Sequence, residues 1–291
     1  MKPVAFEYCR ADTLEEVYEL LDEFGSDASI ISGGLSLGAM LNMRLVRPTA
    51  VVDINGVADL SQIASDSGSV ITGALVRQAA AMAAPDLISA VPLLAHALPY
   101  VGHYQTRSRG TLGGSVAHAD PSAEIPLSLV TLGGSVLLAS KEGRRQVPAR
   151  DFFQGILTTD RQADEIVIGL NWPKSKPGAG YGFEELAQRH GDFAIAAVAA
   201  QAVICDGKIA DLSFGIGGVE ERPFVADAAG FAGQPATPEY ASIIAESAAE
   251  AVDPMSDLQA NPDYRRQLVR VLGARVLERA FIDAQQTEVA V

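Results

Sequence analysis

Two glycine turns are the residues whose types and spacing point most directly to chemistry. Gly33-Gly34 follows the apolar run Ser29–Ile31, and Gly113-Gly114 lies in the segment Thr111–Ser115. Glycine lets a ligand approach the backbone closely, and successive backbone N–H groups in such a turn form a concave site for anions. Where the turn opens a helix, the free N–H groups and the helix dipole also favour a phosphate. The sequence therefore predicts a site for a phosphate-bearing ligand.

A carboxylate follows the second glycine turn. Glu124 comes shortly after Gly114, beyond His118 and Asp120, and its side chain could accept hydrogen bonds from a ribose hydroxyl. Two phosphate cradles and a ribose acceptor would together suit a dinucleotide. Each glycine pair is also what an ordinary tight turn contains, and neither follows the G-x-G-x-x-G or the Walker pattern. On these residues alone, a dinucleotide site and a pair of structural turns both remain open.

Two other chemistries could use the same region. Gly34–Gly38 matches the G-x-S-x-G nucleophile elbow of α/β-hydrolases, which makes Ser36 a candidate nucleophile. Only one predicted strand precedes Ser36, whereas that fold places several strands before its elbow, so the pattern disfavours a hydrolase. His118, Asp120 and Glu124 could bind a metal, but nothing in their spacing fixes a coordination geometry, and a cofactor loop is favoured. A binding module without catalytic activity is the non-enzyme alternative.

The elements that position these turns are predicted from capping signals and hydrophobic periodicity. Thr13 and Glu16 form a capping box, and the helix that they open should end at Gly25. The same kinds of pattern predict a strand over 29–31, a helix over 35–45 and a strand over 51–54. Strand, helix and strand with short joints make a βαβ unit, so residues 1–57 should form a small parallel α/β layer.

Two further units are predicted after residue 57. Residues 58–176 contain strand patterns over 70–72, 136–138 and 166–168 and a helix pattern over 87–98. Residues 178–291 contain paired strands over 194–205 and 209–216, followed by helices over 239–252 and 262–283. The segment 172–178, rich in proline, lysine and glycine, is the predicted linker.

A repeated hexapeptide and a row of arginines need separate interpretations. The sequence Thr-Leu-Gly-Gly-Ser-Val occurs at 111–116 and again at 131–136. The second copy is predicted to be a strand with a glycine bend, without a ligand. The last helix carries arginines that form either a solvated face or a docking face for an acidic partner: Arg265, Arg266, Arg270, Arg275 and Arg279.

Composition excludes several classes of protein. The net charge of −14 disfavours nucleic acid as a ligand, because phosphate backbones attract basic surfaces. Cys9 and Cys205 are too few for an iron–sulfur cluster, which needs about four ligands, and both are predicted to be reduced. No stretch approaches the ~20 apolar residues of a membrane span. The N-terminus lacks a signal-peptide pattern, which predicts a cytoplasmic protein. Any electrons must therefore reside on an organic cofactor or a partner chain.

Three motifs, in order along the chain, resemble the FAD-binding medium subunits of the carbon monoxide dehydrogenase family. That family includes the flavin subunits of xanthine, nicotine and related N-heterocycle dehydrogenases. The motifs are Ser32–Leu37 with Asn42–Pro48 and Val51–Ile54, then Arg107–Ser115 with Ala117–Pro121, then Arg189–Ala194. The resemblance covers nearly the whole chain.

The resemblance implies an α+β fold with a two-part FAD-binding domain. Its first part is the small parallel α/β layer of residues 1–57, and its second part, residues 58–176, is a mixed or antiparallel sheet with helices. A C-terminal domain of antiparallel sheet with helices, residues 178–291, follows.

The resemblance also implies one bound FAD and a set of residues around it. Ile30–Leu37 would contact the pyrophosphate from one side and Thr111–Ala117 from the other. Glu124 stands where the family usually has an aspartate at the ribose. Val101 and Phe193 would pack near the isoalloxazine ring, and Val167 lies on a strand whose backbone meets the flavin. The implied cofactor-binding residues are Ile30, Ile31, Ser32, Gly33, Gly34, Leu35, Ser36, Leu37, Val101, Thr111, Leu112, Gly113, Gly114, Ser115, Val116, Ala117, Glu124, Val167 and Phe193.

Two positions depart from the family pattern. Leu35 stands where relatives often carry a polar residue. Glu184-Glu185 lies where many relatives have a lysine, so a positively charged contact to the flavin from this position is in doubt.

The resemblance further implies partner subunits. A large subunit would hydroxylate the substrate at a molybdenum cofactor, and a small subunit would carry electrons through two [2Fe–2S] clusters to this FAD. The flavin would then reduce an external acceptor such as NAD, oxygen, a quinone or a cytochrome, within a dimer of heterotrimers. The opening segment Met1–Pro3 and the Asn42–Arg44 stretch favour a nitrogen heterocycle as substrate over carbon monoxide or an aldehyde. The resemblance assigns no acid, base or nucleophile to this chain. A stand-alone flavin oxidoreductase is the enzyme alternative.

Overall fold

The computed structural model describes residues 2–289 and confirms an α+β fold. In this part of the chain, the strands form sheets of three, five, four and two strands. Met1 and residues 290–291, which belong to the first and third predicted units, lie outside the described residues. No helix within residues 2–289 is both long enough and apolar enough to span a membrane.

The first unit is a parallel three-stranded sheet with two helices. It consists, in chain order, of β1 (Glu7–Arg10), α1 (Leu14–Phe24), β2 (Ala28–Ile31), α2 (Leu37–Asn42) and β3 (Ala50–Asp53). The strand order is β1-β3-β2. The predicted capping box is confirmed, because the Thr13 Oγ1 accepts the Glu16 N–H at 3.2 Å and the Glu16 carboxylate accepts the Thr13 N–H at 3.3 Å. The sequence does not predict β1, because this strand lacks apolar alternation and its side chains are mostly exposed.

The second unit is an antiparallel five-stranded sheet with short helices. Its elements are β4 (Ile63–Ser65), β5 (Ser69–Gly73), α3 (Gln78–Met82), α4 (Pro85–Ala90), α5 (Pro92–Ala97), α6 (Tyr104–Arg109), α7 (Leu112–His118), α8 (Glu124–Thr131), β6 (Ser135–Ser140), β7 (Gly143–Pro148), α9 (Ala149–Phe152), β8 (Phe153–Gly155), β9 (Thr158–Thr159) and β10 (Ile166–Pro173). The order of the main sheet is β4-β5-β10-β6-β7, and β8 and β9 form a separate two-stranded sheet. Short 3₁₀ turns occur at Gly25–Asp27, Ala58–Ser61, Leu98–Tyr100 and Ala229–Phe231.

Three sequence predictions in this unit need correction. The single helix over 87–98 is two helices, because Val91 leaves the helical region at φ −131° and ψ 68° before Pro92. Trp172 is not part of a linker: it is fully buried in β10, and its indole N–H donates to the Thr72 Oγ1 at 3.0 Å. The second hexapeptide copy begins as the end of α8, and its strand starts only at Ser135.

The third unit packs an antiparallel sheet against two helices. Its elements are β11 (Ala179–Leu186), β12 (Ala196–Cys205), β13 (Lys208–Gly217), β14 (Phe224–Ala226), α10 (Pro238–Ala251) and α11 (Pro262–Val289). The strands follow one another in sequence order, and the pairing predicted for β12 with β13 is confirmed. Helix α11 lies against β11 so closely that a Cβ on Gly180 would come within 2.2 Å of the Ala280 carbonyl oxygen.

The arginine row on α11 has partners within this chain. Arg265 is 1% exposed, so both sequence interpretations of the row are wrong for it. Its guanidinium donates to the carbonyl oxygens of Ile195 and Gly218 and pairs with the Asp257 carboxylate at 2.6 Å. The other four arginines pair with carboxylates of the same unit: Arg266 with Asp263, Arg270 with Glu246, and Arg275 and Arg279 with Glu184.

The third unit also packs against the second. The opposite face of β11 and β12 contributes Tyr181 and Phe183 to an apolar cluster with Leu93 of α5 and Leu127 of α8. This packing joins α8, which begins at Glu124, to the loop that follows β11.

Candidate functional site

A cavity of about 780 Å³ opens between the three units. This volume is within the range of roughly 300–1,000 Å³ that small-molecule and cofactor sites occupy. The turn between β2 and α2 forms one wall, and α7 with the start of α8 forms another. The start of β10 and the loop 188–193 after β11 complete it. The ends of elements from all three units therefore meet at one site.

Most of the residues that the sequence nominated lie on the wall of this cavity. They are Ile30, Ile31, Ser32, Gly33, Gly34, Leu35, Ser36, Leu37, Val101, Thr111, Gly113, Gly114, Ser115, Ala117, Glu124, Val167 and Phe193. Leu112 and Val116 do not line it. Both are fully buried in the apolar core of the second unit, because they lie on the inner face of α7.

The two glycine turns pack directly against each other. Gly34 has a φ of +74°, a left-handed conformation that favours glycine. A Cβ on Gly33 would lie 2.6 Å from the Arg109 carbonyl oxygen and 2.9 Å from the Gly110 Cα, so the backbones of the turns touch there. The hydroxyls of Ser32 and Thr111 are hydrogen-bonded across the junction at 3.1 Å. We call the surface formed by Ser32–Leu37 and Thr111–Ser115 the cradle.

The two glycines of the second turn, Gly113 and Gly114, have different structural roles. Thr111 caps α7, and its Oγ1 accepts the Gly114 N–H at 2.9 Å. A Cβ on Gly113 would lie 2.5 Å from the Ala74 Cα, so Gly113 allows α7 to pack on the chain after β5. A Cβ on Gly114 would instead lie 2.7 Å from the Thr111 Oγ1 and 2.8 Å from the Ser32 Oγ, inside the cradle.

Glu124 is a buried carboxyl group on the cavity wall. It is the first residue of α8, and only 9% of it is exposed. Burial raises its pKa to about 7, and the negative charge of Asp120 adds to the rise, while Arg107 opposes it. Burial also lowers the pKa of His118, another wall residue, so its imidazole is neutral at pH 7. Glu124 therefore changes its charge readily near neutral pH.

Loops of the second and third units meet on the cavity wall, which includes Val101, Gly102 and Gly191. The Nη1 of Arg107 donates to the carbonyl oxygens of Val101 at 2.8 Å and Gly102 at 2.9 Å, which holds the loop that carries Val101. Gly191, with a φ of +86°, packs against Gly102. Phe193 is 59% exposed beside this contact, an unusual exposure for a phenylalanine. A ligand in the cavity would cover it.

Gln78 and Arg161 are two of the polar wall residues that the sequence did not predict. Gln78 is only 5% exposed, and its Oε1 has no hydrogen-bond partner among residues 2–289. Its backbone N–H donates to the Gly110 carbonyl at 2.9 Å, which places the side chain beside the cradle. Arg161 is held by hydrogen bonds from its Nη1 to the carbonyl oxygens of Gln162 and Glu165. No local motif signals either residue, because contacts between distant segments bring them to the cavity.

Glu184 and Glu185 do not line the cavity. Glu184 pairs with Arg275 at 3.2 Å and Arg279 at 2.9 Å on the α11 side of the sheet. Glu185 is on the other face, where burial and the nearby Glu124 raise its pKa to about 9. Neither residue supplies a positive charge to the cavity.

The alternative chemistries lack the geometry that they require. Ser36 has an ordinary helical conformation, φ −86° and ψ −57°, rather than the strained turn of a nucleophile elbow. In the described part of the chain, no hydrogen bond joins Ser36 to a histidine. No group of three metal-ligating side chains occurs among the residues described, and Cys9 and Cys205 are free thiols.

Comparison with known proteins agrees with this geometry. The protein-family model for the FAD-binding domain in molybdopterin dehydrogenase matches residues 4–175. The family model for the CO dehydrogenase flavoprotein C-terminal domain matches residues 181–280. The chain is 34% identical to the nicotine 6-hydroxylase medium subunit of Paenarthrobacter nicotinovorans, over 96% of this chain and 99% of that protein. It is 32% identical to the carbon monoxide dehydrogenase medium chain of Afipia carboxidovorans, over 96% and 98%.

A solved structure shows the same fold. The structure of quinoline 2-oxidoreductase from Pseudomonas putida 86 superposes with a TM-score of 0.94 at 36% identity and covers 98% of this chain and 99% of that one. Family models and relatives both extend over nearly the whole chain. The chain therefore belongs to the FAD-binding medium subunits of the molybdenum hydroxylase family, and is a flavoprotein component of an oxidoreductase.

Proposed function

We propose that this chain holds one FAD in the cavity and transfers electrons through it. In this proposal, [2Fe–2S] clusters of a small partner subunit deliver the electrons, and an external acceptor removes them. A large partner subunit with a molybdenum cofactor carries out the hydroxylation. The observation that supports this most strongly is the meeting of two glycine turns in one cavity that spans three units.

The residues present fit the diphosphate of FAD. The absence of a side chain at Gly33 lets the two turns touch, and its absence at Gly114 leaves room for the hydroxyls of Ser32 and Thr111 to converge in the cradle. We propose that Ile30–Leu37 contact the diphosphate from one side and Thr111–Ala117 from the other. Hydroxyl and backbone N–H donors suit phosphate oxygens because they satisfy the negative charge without a metal or a lysine.

The remainder of the cofactor has matching partners. Glu124 is proposed to accept hydrogen bonds from sugar hydroxyls, which favours its ionised form. The buried carboxamide of Gln78 lacks a partner for its Oε1, and an unmet group of this kind costs about 1–3 kcal/mol, so it suits a polar ligand. Val101 and Phe193 would flank the isoalloxazine ring, and the backbone at Val167 would meet the flavin.

The chain contributes to the reaction by binding the flavin, orienting it and shielding it from water. The bound flavin supplies the redox chemistry. The apolar wall residues Val101, Val167 and Phe193 would exclude water from the ring. Glu124, whose pKa burial raises to about 7, would release its proton as it accepts hydrogen bonds.

The partners, location and substrate are also proposals. We propose a dimer of heterotrimers in the cytoplasm that acts on a nitrogen heterocycle. The relatives whose names refer to nicotine, caffeine and quinoline support the heterocycle. For the chain itself we propose a division into residues 1–57, 58–176 and 178–291. The segregation of the described sheets into residues 7–53, 63–173 and 179–226 supports this division.

Electron transfer can be tested on the complex purified from the cells that naturally produce it. Metal and subunit analysis should find molybdenum, iron and two further chains with this one. Under anaerobic conditions, a nitrogen heterocycle that is a substrate should bleach the oxidised flavin absorbance of the complex but not that of the isolated chain. Purification of an active flavoenzyme that contains this chain alone would contradict the proposal and favour a stand-alone flavin oxidoreductase.

A further inference from the structure

Two hydrogen-bonded polar side chains contact the backbone at the cradle from outside the cavity. Arg77 directly precedes α3, and Asn55 follows β3. Neither residue lines the cavity. Asn55 is nevertheless hydrogen-bonded to the backbone of the first glycine turn, and Arg77 to the backbone that leads directly into the second.

The hydrogen bonds form one continuous path between the turns. The Nδ2 of Asn55 donates to the Ser32 carbonyl at 2.9 Å, immediately before Gly33. The Nη2 of Arg77 donates to the Asn55 Oδ1 at 2.6 Å, and its Nη1 donates to the carbonyl of Arg109, immediately before Gly110. The path therefore runs from the first turn through Asn55 and Arg77 to the second turn.

The same path is anchored in the first sheet. Asp53, at the end of β3, accepts the backbone N–H of Asn55 at 2.9 Å and its Nδ2 at 2.5 Å. Its other oxygen accepts the hydroxyl of Tyr8 on β1 at 2.5 Å. Asn55 is thus held from both directions, and its amide cannot turn without the loss of these bonds.

The side chains of Arg77 and Asn55 can hold the two glycine turns at a fixed separation. A guanidinium donates in a rigid planar fork, so one arginine can fix two acceptors at a set separation. The amide of Asn55 offers an acceptor to Arg77 and a donor to Ser32 at once. Apart from this path, the two turns are joined by the contact between Gly33 and Gly110 and by the hydroxyl pair of Ser32 and Thr111.

We propose that Arg77 and Asn55 are positioning residues that fix the separation of the two glycine turns before the cofactor arrives. The inference rests on the proposed function, since it assumes that the diphosphate binds in the cradle. Pre-organisation of this kind raises affinity by removing the ordering cost from the binding step. If the path is broken, only a fraction of the empty protein has the binding geometry, and the apparent Kd rises by the inverse of that fraction.

The test compares FAD binding to the apoprotein of four variants: Arg77→Ala, Arg77→Lys, Asn55→Ala and the double alanine variant. Each single alanine variant should bind FAD about ten-fold more weakly, with most of the loss in the association rate measured by stopped-flow fluorescence. Arg77→Lys should bind FAD as weakly as Arg77→Ala, because lysine keeps the positive charge but lacks the planar guanidinium that donates to two acceptors. The double variant should be little weaker than either single variant, because both break one path.

Arg270→Ala is the matched control. Arg270 is also a hydrogen-bonded arginine, whose Nε donates to both oxygens of the Glu246 carboxylate at 2.8 Å, but it lies on the third unit away from the cradle. It should bind FAD like the unaltered protein. Losses that appear in the dissociation rate alone would overturn the inference, since they would mean direct contact with FAD. Additive losses in the double variant, full affinity in Arg77→Lys, or unaltered affinity in both alanine variants would also overturn it. Failure of the unaltered protein to bind FAD would contradict the proposed function instead.

Discussion

Gly114→Ala should damage the cofactor site with little effect on the rest of the fold. The added methyl carbon would lie 2.7 Å from the Thr111 Oγ1 and 2.8 Å from the Ser32 Oγ, closer than carbon and oxygen can approach. Both hydroxyls must move away, which breaks their 3.1 Å hydrogen bond and the 2.9 Å cap from Thr111 to the Gly114 N–H.

The expected size of the effect follows from these losses. Loss of the cap lowers the free energy of unfolding by about 0.5–2 kcal/mol. Displacement of one hydroxyl from a phosphate removes a charge-assisted hydrogen bond of about 1.5–3 kcal/mol. The Kd for FAD should therefore rise by at least about ten- to a hundred-fold. Titration of the apoprotein with FAD, followed by the quenching of flavin fluorescence, measures this directly.

The second copy of the hexapeptide provides the control. A Cβ on Gly134 would lie 2.5 Å from the Leu129 Cδ1 and 2.8 Å from the Asn171 carbonyl oxygen, in the core and away from the cavity. Gly134→Ala should lower the free energy of unfolding by about 1–3 kcal/mol through overpacking and leave the Kd for FAD unaltered. Equal loss of FAD affinity in two folded variants, or normal affinity in Gly114→Ala, would refute the assignment of the first copy to the cradle.

Three other substitutions test separate parts of the account. Ser36→Ala should weaken FAD binding roughly ten- to a hundred-fold, as expected for one lost charge-assisted hydrogen bond, whereas covalent labelling of Ser36 by a fluorophosphonate would support a hydrolase instead. Because burial raises the pKa of Glu124 from 4.5 to about 7, this group stabilises the cofactor-free protein below pH 4.5, and the contribution is lost as the pH rises from about 4.5 to about 7. Glu124→Gln should therefore reduce the pH dependence of the melting temperature over that range. It should also abolish the rise in FAD affinity with pH that ionisation of Glu124 gives the unaltered protein. An unchanged pH profile of either quantity would contradict this role. Arg265→Ala leaves Asp257 and two carbonyl groups without their donor and should lower the free energy of unfolding by about 3–5 kcal/mol, as measured by urea denaturation; a loss below ~1 kcal/mol would show that the buried contacts are not formed.

Local signals predicted the first unit and the turns well. The capping box of Thr13 and Glu16 and the strand–turn–helix order around Gly33 involve neighbours in sequence, so they can be read from the chain directly. The edge strand Glu7–Arg10 carries no such signal, since it is held by backbone pairing to β3 and not by an apolar face.

The residues that sequence reasoning missed depend on distant contacts. Gln78, Arg77 and Asn55 reach the cradle through contacts with residues that are distant in the sequence. The motif likewise includes Leu112 and Val116 without showing that their side chains face the core. Arg265 looks like a surface residue in the sequence, and its burial follows from acceptors on Ile195 and Gly218 in a different part of the unit.

The central claim is that the cavity between the three units holds one FAD. Isothermal titration of the folded apoprotein with FAD, with FMN in parallel, tests it most directly, because FMN lacks the adenylate half of the dinucleotide. Saturation at one FAD per chain, with FMN much weaker, is the predicted result. No binding of FAD at micromolar concentrations, or binding of FMN as tight as that of FAD, would contradict it.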